Sequence, residues 1–533
     1  MTYVAEEFTP AEADVLRRYF TNLDRPVFAL VNLPEVVKGA LFARYSRSPK
    51  SLRRLFLDEF VGELDIDGDE SVDATTGLTR AEELYERVFV EYGDDSVAQL
   101  GGVHLACEQA SNVLTKVLER GRLMSYLEQS TRYIAYDARM GGRYRYHRDP
   151  AVLASRHGTR YVGDMDRMFD AYSEALERVT EHVRRVVPRT EGVSDFVHRQ
   201  ATRAKALDAV RGMLPAAATS NVGIYGSGQA FEALLLRMRA HPLPEARAYA
   251  DEMLVELRKV IPSFLRRVDV PERGGAWSAY LADIHAQTEE LVDSLMGSTP
   301  VDSAPEVELV DWDPDGEHRL IAAVCYPHAS MSERQLMAVV DRMTPEQRSA
   351  ILAAAIGERG NRRHKPGRGF ERIDYRFDVL SDYGAFRDLQ RHRLLTIDWQ
   401  RLTPHHGYVR PELVDEAGVG PLFDETMERS AELFDTLRPD FAEQAAYAVA
   451  MAHRIRYSMQ FNAREAIHLI ELRSSPQGHP SYRRVVLEMH RLIAEQAGHR
   501  AVADAMVHLT TEAPELERLD SERRAEARRL PSG

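Results

Sequence analysis

The chain has 533 residues, 44% of them hydrophobic and 29% charged, which is the composition of a globular protein and excludes a disordered or fibrous one. Its 69 basic and 83 acidic side chains give a net charge of −14, so the surface as a whole should repel nucleic acid. Two cysteines exclude a disulfide framework. Without a leader or an apolar run of roughly 18 residues, we expect a cytoplasmic protein of two or three domains that contacts no membrane.

Short strands and longer helices are predicted along the chain. Apolar residues predict strands at 27–31, 144–146 and 307–312, and the turn signal 313–316 follows the last of these. Helices are predicted ahead of two arginine-rich segments, because apolar residues recur there at helical spacing. These residues are Val103, Ala106, Ala110, Val113 and Val117 in the first half and Phe377, Leu380, Phe386 and Leu389 in the second.

A segment of small and polar residues near the middle of the chain divides it into two halves. We interpret 296–305 as a linker between a first domain over 1–295 and a second over 306–510. The remaining residues, 511–533, are mostly charged and are predicted to form a solvated helix or a frayed tail.

An arginine motif occurs once in each half, and the two copies differ. The first reads Arg120-Gly-Arg122-Leu-Met-Ser125-Tyr-Leu-Glu128-Gln-Ser130-Thr-Arg132-Tyr133, and the second reads Arg391-His392-Arg393-Leu-Leu-Thr396-Ile-Asp-Trp-Gln-Arg401-Leu-Thr403. Several fixed cations close to hydroxyls and a carboxylate are suited to hold a phosphorylated ligand and to orient a ring beside it. The motif therefore points to nucleotide chemistry and to a duplicated architecture, and no metal site is predicted.

A helix that carries arginine follows late in each half. It covers 231–241 in the first half, with Arg237, and 462–473 in the second. Asn462, His468 and Arg473 fall at offsets that bring them to one side of the second helix, whose other side is apolar. This polar side is expected to line a cleft.

These residues resemble the signature of the flavin-dependent thymidylate synthases, the ThyX family, which is Arg-His-Arg, two residues, Ser, four residues, Ser, one residue and Arg. The first copy matches at Arg120, Arg122, Ser125, Ser130 and Arg132 but has Gly121 in place of histidine. The second matches at Arg391, His392 and Arg393, has the hydroxyl of Thr396, and carries Arg401 and Thr403 in place of serine and arginine. The resemblance covers roughly 27–265 and 305–505.

The resemblance implies the fold and the partners. The family fold is an α+β domain with a short antiparallel sheet flanked by helices, and it forms homotetramers. This helix-rich chain would hold two such domains, and a homodimer would form a pseudo-tetramer. The segment that ends in Arg211-Gly-Met-Leu-Pro215 looks like the family segment whose arginine assists the substrate phosphate.

The resemblance also implies the reaction and the residues that take part. It is the methylation of a uridine nucleotide, most simply dUMP to dTMP, with FAD as cofactor and with NADPH and methylenetetrahydrofolate as co-substrates. The catalytic residues implied are Arg237 and Arg473. The substrate-binding residues are Arg120, Arg122, Glu128, Ser130, Arg132, Tyr133 and Arg211. The cofactor-binding residues are Ser96, Glu371, Arg391, His392, Arg393, Asn462, Arg464 and His468.

Two readings of the duplication stay open. In one, the first half mainly binds the nucleotide phosphate through Ser130, Arg132 and Arg211, and the second mainly binds flavin. In the other, the chain is a non-catalytic member of the fold that binds flavin or nucleotide or acts as a scaffold, because neither copy of the motif is complete. The sugar of the nucleotide, the carbon donor and the number of active sites are not fixed by the sequence.

Overall fold

The computed structural model describes residues 3–33, 35–59, 61, 99, 101–512 and 514–529. The chain forms two compact units. The first consists of Met1–Ser173, Leu214–Val301 and Glu428–Val449, and the second of Glu174–Met213, Asp302–Met427 and Ala450–Gly533. The boundary after Val301 falls within the segment interpreted as a linker. Each unit also contains one segment from the other half of the sequence, which the sequence did not indicate.

The first half of the chain contains four strands and ten helices among its described residues. The strands are β1 (Val27–Leu30), β2 (Gly102–Ser111), β3 (Met124–Glu128) and β4 (Thr219–Ser227). The helices are α1 (Pro10–Leu16), α2 (Glu35–Tyr45), α3 (Leu52–Glu59), α4 (Asn112–Leu118), α5 (Pro150–Ala154), α6 (Gly158–Val186), α7 (Asp195–Val210), α8 (Gly228–Arg239), α9 (Pro244–Arg258) and α10 (Ala276–Met296).

The second half repeats this order of elements with fewer helices between its third and fourth strands. The strands are β5 (Val307–Trp312), β6 (Asp374–Asp382), β7 (Leu395–Trp399) and β8 (Arg454–Asn462). The helices are α11 (Gly316–Cys325), α12 (Glu333–Val340), α13 (Pro345–Ile356), α14 (Tyr383–Leu389), α15 (Glu412–Glu416), α16 (Gly420–Leu437), α17 (Ala463–Arg473), α18 (Pro480–Glu495), α19 (Arg500–Asp504) and α20 (Leu519–Arg529).

The two units contain sheets of the same topology. The strand order is β1-β2-β4-β3 in the first and β5-β6-β8-β7 in the second, and all neighbouring strands are antiparallel. In each sheet the second strand leads into a short helix and then into an edge strand, and the last strand leads into the late helix. The predicted class, α+β with two helix-flanked antiparallel sheets, is confirmed.

The core of the second unit follows from alternation along its two central strands. In β8 the side chains of Ile455, Tyr457, Met459 and Phe461 are buried, while the residues between them are at least partly accessible. Because successive strand residues point to opposite faces, one face of the sheet is apolar and must be covered. Helix α17 contributes Ile467 and Ile470 to the buried side chains. The packing of this apolar side fixes where the polar side chains of α17 lie.

Two of the three predicted strands are confirmed, as β1 and β5. The turn after β5 is confirmed too, because the Gly316 N–H donates to the Asp313 carbonyl at 3.0 Å. The strand predicted at 144–146 is wrong, since only Tyr146 forms an isolated bridge, to Ala218.

The helical interpretation of the segments ahead of the motifs is wrong for most of their length. Residues from Gly102 to Ser111 and from Asp374 to Asp382 are strands, and helices begin only at Asn112 and Tyr383. Strand β2 is buried on both faces, so its apolar residues do not alternate with polar ones. Their spacing therefore resembles that of a helix.

Of the two alternatives for the charged C-terminal segment, a solvated helix or a frayed tail, the described residues show a helix. The segment contains helix α20, and the Arg518 side chain just before that helix is buried. Its guanidinium donates to both carboxylate oxygens of Asp208, at 2.9 and 3.0 Å, within the second unit. Among the residues described, no helix combines the length and the apolar character needed to cross a bilayer.

Candidate functional site

Both arginine motifs lie in the turn between a short helix and an edge strand. Arg120 and Arg122 stand between the end of α4 at Leu118 and the start of β3, and Arg391 to Arg393 stand between the end of α14 and the start of β7. The expectation that each motif emerges from the C-terminal end of a helix is confirmed. The short helices are capped in the same way, because Ser111 and Asp382 each accept the backbone N–H three residues on.

His392 lies at the centre of a buried cluster in the second unit. Its Nδ1 is 2.8 Å from the Glu465 carboxylate, and its Nε2 is 3.0 Å from Arg473 Nε, which donates to it. The ring of His468 packs against it edge to face, with centroids 5.6 Å apart. The structure therefore brings together three predicted residues, His392, His468 and Arg473, which are separated by up to 81 positions in the chain.

Arg473 connects this cluster to a second carboxylate. Its Nη1 lies 3.9 Å from Asp388, and its guanidinium lies 5.5 Å from the centroid of the Tyr482 ring. Arg211 Nη1 donates to the other oxygen of Asp388 at 3.3 Å. A continuous chain of polar contacts thus runs through five residues of the second unit, namely Arg211, Asp388, Arg473, His392 and Glu465.

Arg211 comes from the first half of the sequence but belongs to the second unit. It follows helix α7, its side chain is almost completely buried, and its Nη2 has no hydrogen-bond partner. A side chain on Gly384 would place its Cβ 3.1 Å from that Nη2, so glycine keeps the space beside the guanidinium open. A buried donor without a partner is costly, which makes this nitrogen a candidate contact for an anionic ligand. Arg211 is not in the same unit as Ser130 and Arg132.

Burial controls protonation in this cluster. It lowers the pKa of His392 well below its usual value, with a further contribution from the positive charge of Arg473. It lowers the pKa of His468 to about 4 and raises that of Glu465 to about 7, the latter against the opposing effect of Lys365, Arg464 and Arg473. Both imidazoles are therefore neutral near pH 7.

Ligand atoms of His392, Glu465 and His468 lie within 4.8 Å of one another, a spacing that a metal ion could bridge. The hydrogen bonds argue against this, because both ring nitrogens of His392 are already engaged by Glu465 and Arg473. The positive charges of Lys365, Arg362 and Arg473, which act on His468, also disfavour a further cation.

The other residues predicted to bind the cofactor lie around this cluster. Arg464 donates to the Pro366 carbonyl at 2.8 Å and lies 3.3 Å from Glu371, which also pairs with Arg368. Asn462 is the N-cap of α17 and accepts the Glu465 backbone N–H at 2.9 Å. Arg393 is exposed, and the charge of Arg391 acts on Arg473.

The residues present fit an anionic, ring-bearing cofactor. Lys365 and Arg464 supply positive charge at the start of α17, where they act on Glu465, and Arg391 and Arg393 flank His392 in the chain. Guanidinium groups bind the phosphate oxygens of such molecules in pairs of hydrogen bonds. The unpartnered Nη2 of Arg211 adds one buried donor in the same unit.

In the first unit the downstream part of the motif is held by buried polar contacts. Glu128 is buried and lies 3.2 Å from Lys116, which also contacts Glu119. The Ser130 hydroxyl accepts the Arg132 backbone N–H at 3.2 Å, and the Ser130 N–H donates to the Ser46 carbonyl. Arg132 is largely buried and the Tyr133 ring is half exposed, with Arg47 5.7 Å from its centroid.

The upstream part of the first motif is built differently from its counterpart. A Cβ added to Gly121 would lie 2.6 Å from the Tyr126 hydroxyl, which donates to the Gly121 carbonyl at 3.1 Å. The guanidinium of Arg237 is near this hydroxyl, and burial lowers the pKa of Arg237. Arg120 and Arg122 are exposed. Tyr126 therefore takes the space that the histidine of the second copy would need.

One predicted residue lies outside the described part of the chain, and one histidine not assigned to the site lies near Arg237. Ser96 lies outside the described residues. Burial lowers the pKa of His241, which follows helix α8, to about 4, and the charges of His285 and Arg120 contribute. The structure thus places Arg120, Arg237 and His241 in one neighbourhood of the first unit.

Sequence reasoning missed Glu465 and Asp388. Glu465 stands three residues after Asn462, a pattern that reads as a helix-capping box, so its carboxylate is expected to face its own helix terminus. Asp388 lies on the short helix that was assigned from its apolar residues alone. No local signal indicated the role of Asp388, because its partners Arg211 and Arg473 are far from it in the chain.

The model of the family described as thymidylate synthase complementing protein matches the chain twice, over residues 43–263 and 308–498. A UPF0159 protein of Chlamydia pneumoniae is 40% identical over 495 residues, which cover 92% of this chain and 93% of the relative. A UPF0159 protein of Chlamydia muridarum is 37% identical over 528 residues, covering 98% and 99%.

A solved structure is also similar over part of the chain. It is the UMP/dUMP methylase PolB from Streptomyces cacaoi, bound with 5-Br dUMP, and it is 17% identical with a TM-score of 0.30. The match covers 40% of this chain and 99% of that chain.

Proposed function

The chain belongs to the family of thymidylate synthase complementing proteins, in two tandem copies, and on that premise we propose that it methylates a uridine nucleotide, dUMP to dTMP, in a flavin-dependent reaction. Methylenetetrahydrofolate provides the carbon and NADPH the electrons. The observation that supports this most is the buried contact chain from Arg211 to Glu465, because it holds Arg473 and an unpartnered Arg211 nitrogen beside the intact Arg-His-Arg motif.

The residues of the second unit position the substrate. Arg473 donates two parallel hydrogen bonds to the edge of the uracil ring and stabilises the negative charge that develops on its oxygen. Arg211 donates its Nη2 hydrogens to the substrate phosphate. Asp388 contacts both arginines and so fixes the distance between their guanidinium groups. Reduced FAD, when bound, supplies the hydride that completes the methyl group.

The flavin is proposed to bind at the turn of the second motif. Arg391 and Arg393 offer cations there on either side of the neutral His392. Asn462, Arg464, His468 and Glu371 lie at or near the start of α17. In the first unit, Glu128, Ser130, Arg132 and Tyr133 are proposed to bind nucleotide, with Arg120, Arg122 and Arg237 contributing positive charge.

The absorbance spectrum of the purified protein tests the flavin assignment. We expect flavin bands in the unaltered protein, their loss in Arg393→Ala, and their retention in Arg132→Ala, which should instead weaken nucleotide binding. Arg393 and Arg132 form a matched pair because each is the last arginine of the motif part that its copy retains. A colourless protein that takes up no FAD would contradict the proposal.

Flavin binding without catalysis is the second candidate function. It is favoured by the first copy, in which Tyr126 fills the place of the motif histidine. Tritium release from carbon-5-labelled dUMP distinguishes the two, because release requires chemistry at that carbon. No release in the presence of FAD, NADPH and methylenetetrahydrofolate, from a protein that retains flavin, would favour the non-catalytic role.

A homodimer is proposed on the exposed side of α10. This helix contacts α8 through Ser278, whose hydroxyl donates to the Leu236 carbonyl, but seven large apolar side chains are each at least 41% exposed. They are Trp277, Tyr280, Ile284, Leu291, Val292, Leu295 and Met296. Most recur every three or four residues, as in helices that pair with another helix.

Light scattering on the eluting protein tests this proposal. We expect a dimer mass for the unaltered chain and a monomer mass for Leu291→Glu, because a carboxylate in a helix pair is costly to bury. Val255→Glu, on the exposed side of α9, is the matched control and should leave the dimer intact. A monomeric unaltered chain at micromolar concentration would contradict the proposal.

A further inference from the structure

We propose that Glu465 is a positioning residue: it fixes the tautomer of His392, and the imidazole in turn holds the guanidinium of Arg473 in place. Glu465 matches no residue of the family signature quoted above. The effect on substrate rests on the proposed function, whereas the tautomer is a property of the folded chain alone.

The hydrogen bonds determine which nitrogen of His392 carries the proton. An arginine N–H can only donate, so the bond from Arg473 Nε at 3.0 Å requires a lone pair on His392 Nε2. The neutral ring then carries its hydrogen on Nδ1, which faces Glu465 Oε1 at 2.8 Å and donates to it. An acceptor at Glu465 is therefore what this tautomer needs.

Glu465 is itself fixed in place. It is the third residue after Asn462, whose side-chain oxygen accepts its backbone N–H at 2.9 Å, and its side chain is 4% exposed. Burial on a capped first turn leaves the carboxylate few rotamers. The orientation of the imidazole is therefore set by the backbone of α17, on which Arg473 also lies.

The first copy provides an internal comparison. Ser227 caps α8 as Asn462 caps α17, and the third residue after it is Ala230, in the place of Glu465. The motif position of His392 is Gly121. The first copy thus lacks both members of the pair, as expected if the carboxylate serves the imidazole rather than the fold of the helix.

Removal of the acceptor predicts a specific change. Without Glu465 the Nδ1 hydrogen is buried without a partner, so the ring gains by moving its proton to Nε2 or by rotating. Either change removes the acceptor that Arg473 Nε uses, because the first places an N–H and the second a C–H where the lone pair of Nε2 had been. Arg473 should then lose its fixed orientation while the surrounding apolar core stays unchanged.

Nuclear magnetic resonance of the full chain labelled with ¹⁵N-histidine tests the tautomer. His392 is assigned by the signal that disappears in His392→Gln. We expect an Nδ1–H tautomer in the unaltered protein and in Glu465→Gln, whose amide oxygen still accepts, and a mixture or the Nε2–H form in Glu465→Ala. An Nε2–H tautomer in the unaltered protein would overturn the proposal, and this result depends on no substitution at Glu465.

Steady-state kinetics provide the second measurement. Glu465→Ala should raise KM for dUMP about tenfold or more while Glu465→Gln stays within about twofold, since a misplaced arginine weakens substrate contacts. If the tautomer behaves as expected but no variant or unaltered protein turns over dUMP, the proposed function fails and the positioning role stands. An unchanged tautomer and KM in Glu465→Ala would show that Glu465 only fills space.

Discussion

The two copies share one topology but differ in the polar contacts built on it. In the second copy His392 is buried between Glu465 and Arg473. In the first, Gly121 and Ala230 occupy the corresponding places, and the Tyr126 hydroxyl closes the gap. The sheet order needs neither histidine nor carboxylate, so the fold survives their loss. The buried polar contacts of the second copy are therefore not required by the fold, and chemistry is expected there first.

The largest expected difference between the copies concerns their late arginines. Arg473→Ala should lower kcat/KM for dUMP about 1,000-fold, because it removes a charged donor from a buried site. Arg237→Ala, on the late helix of the first copy, should cost less than about tenfold. Steady-state assays of the two variants check this. Equal losses would mean that the copies contribute equally and would break the comparison.

The protonation of Glu465 gives the next effect. Because burial raises its pKa from 4.5 to about 7, the folded protein binds this proton more tightly than the unfolded chain does. Its stabilising contribution is complete below pH 4.5 and is lost as the pH rises through about 7. Glu465→Gln cannot ionise, so its stability relative to the unaltered protein should rise by about 3 kcal/mol across this range.

Urea unfolding at a series of pH values measures this difference. Glu412→Gln, which replaces an exposed carboxylate on α15, is the control for the substitution itself. The first copy has alanine at the corresponding position and no such group to titrate. A stability difference that does not change with pH would show that Glu465 is ionised in the folded state throughout.

The helix caps offer a finer comparison. Asn462→Ala removes a capping oxygen and should cost about 1 kcal/mol of folding stability, as should Ser227→Ala. Asn462→Ser introduces the cap of the first copy, so stability should be preserved while flavin retention falls if the amide contacts the cofactor. Thermal unfolding and flavin absorbance measure the two effects separately. Full flavin retention in Asn462→Ser would limit Asn462 to a capping role.

The smallest expected effect concerns Gly121. Gly121→Ala places a methyl group within 2.6 Å of the Tyr126 hydroxyl and should cost about 1 kcal/mol of folding stability. Tyr126→Phe removes the hydroxyl, so the double variant should lose less than the sum of the two single ones. Denaturant unfolding of the three variants checks this. Additive costs would show that the hydroxyl does not hold the site closed.

The sequence predicted the first strand of each sheet correctly but not the second. Strands β1 and β5 are predicted because each is a short apolar run, and a turn signal follows β5. For most of strands β2 and β6 the apolar spacing predicts helices, and this prediction is wrong. In β6 the buried Tyr375, Phe377 and Val379 do alternate, but the helical spacing of Phe377 with Leu380 matched equally well. Periodicity cannot separate a buried strand from a helix over so few residues.

The sequence by itself determined what depends on neighbouring residues. The duplication, the position of each motif after the end of a helix, and the shared side of His468 and Arg473 on α17 follow from the order and spacing of residues along the chain. Only the tertiary structure decided that Arg211 belongs to the second unit, that Asp388 lies between two arginines, and that Glu465 faces His392. These contacts join residues 73 to 177 positions apart, and the burial that shifts their protonation exists only once the core has assembled.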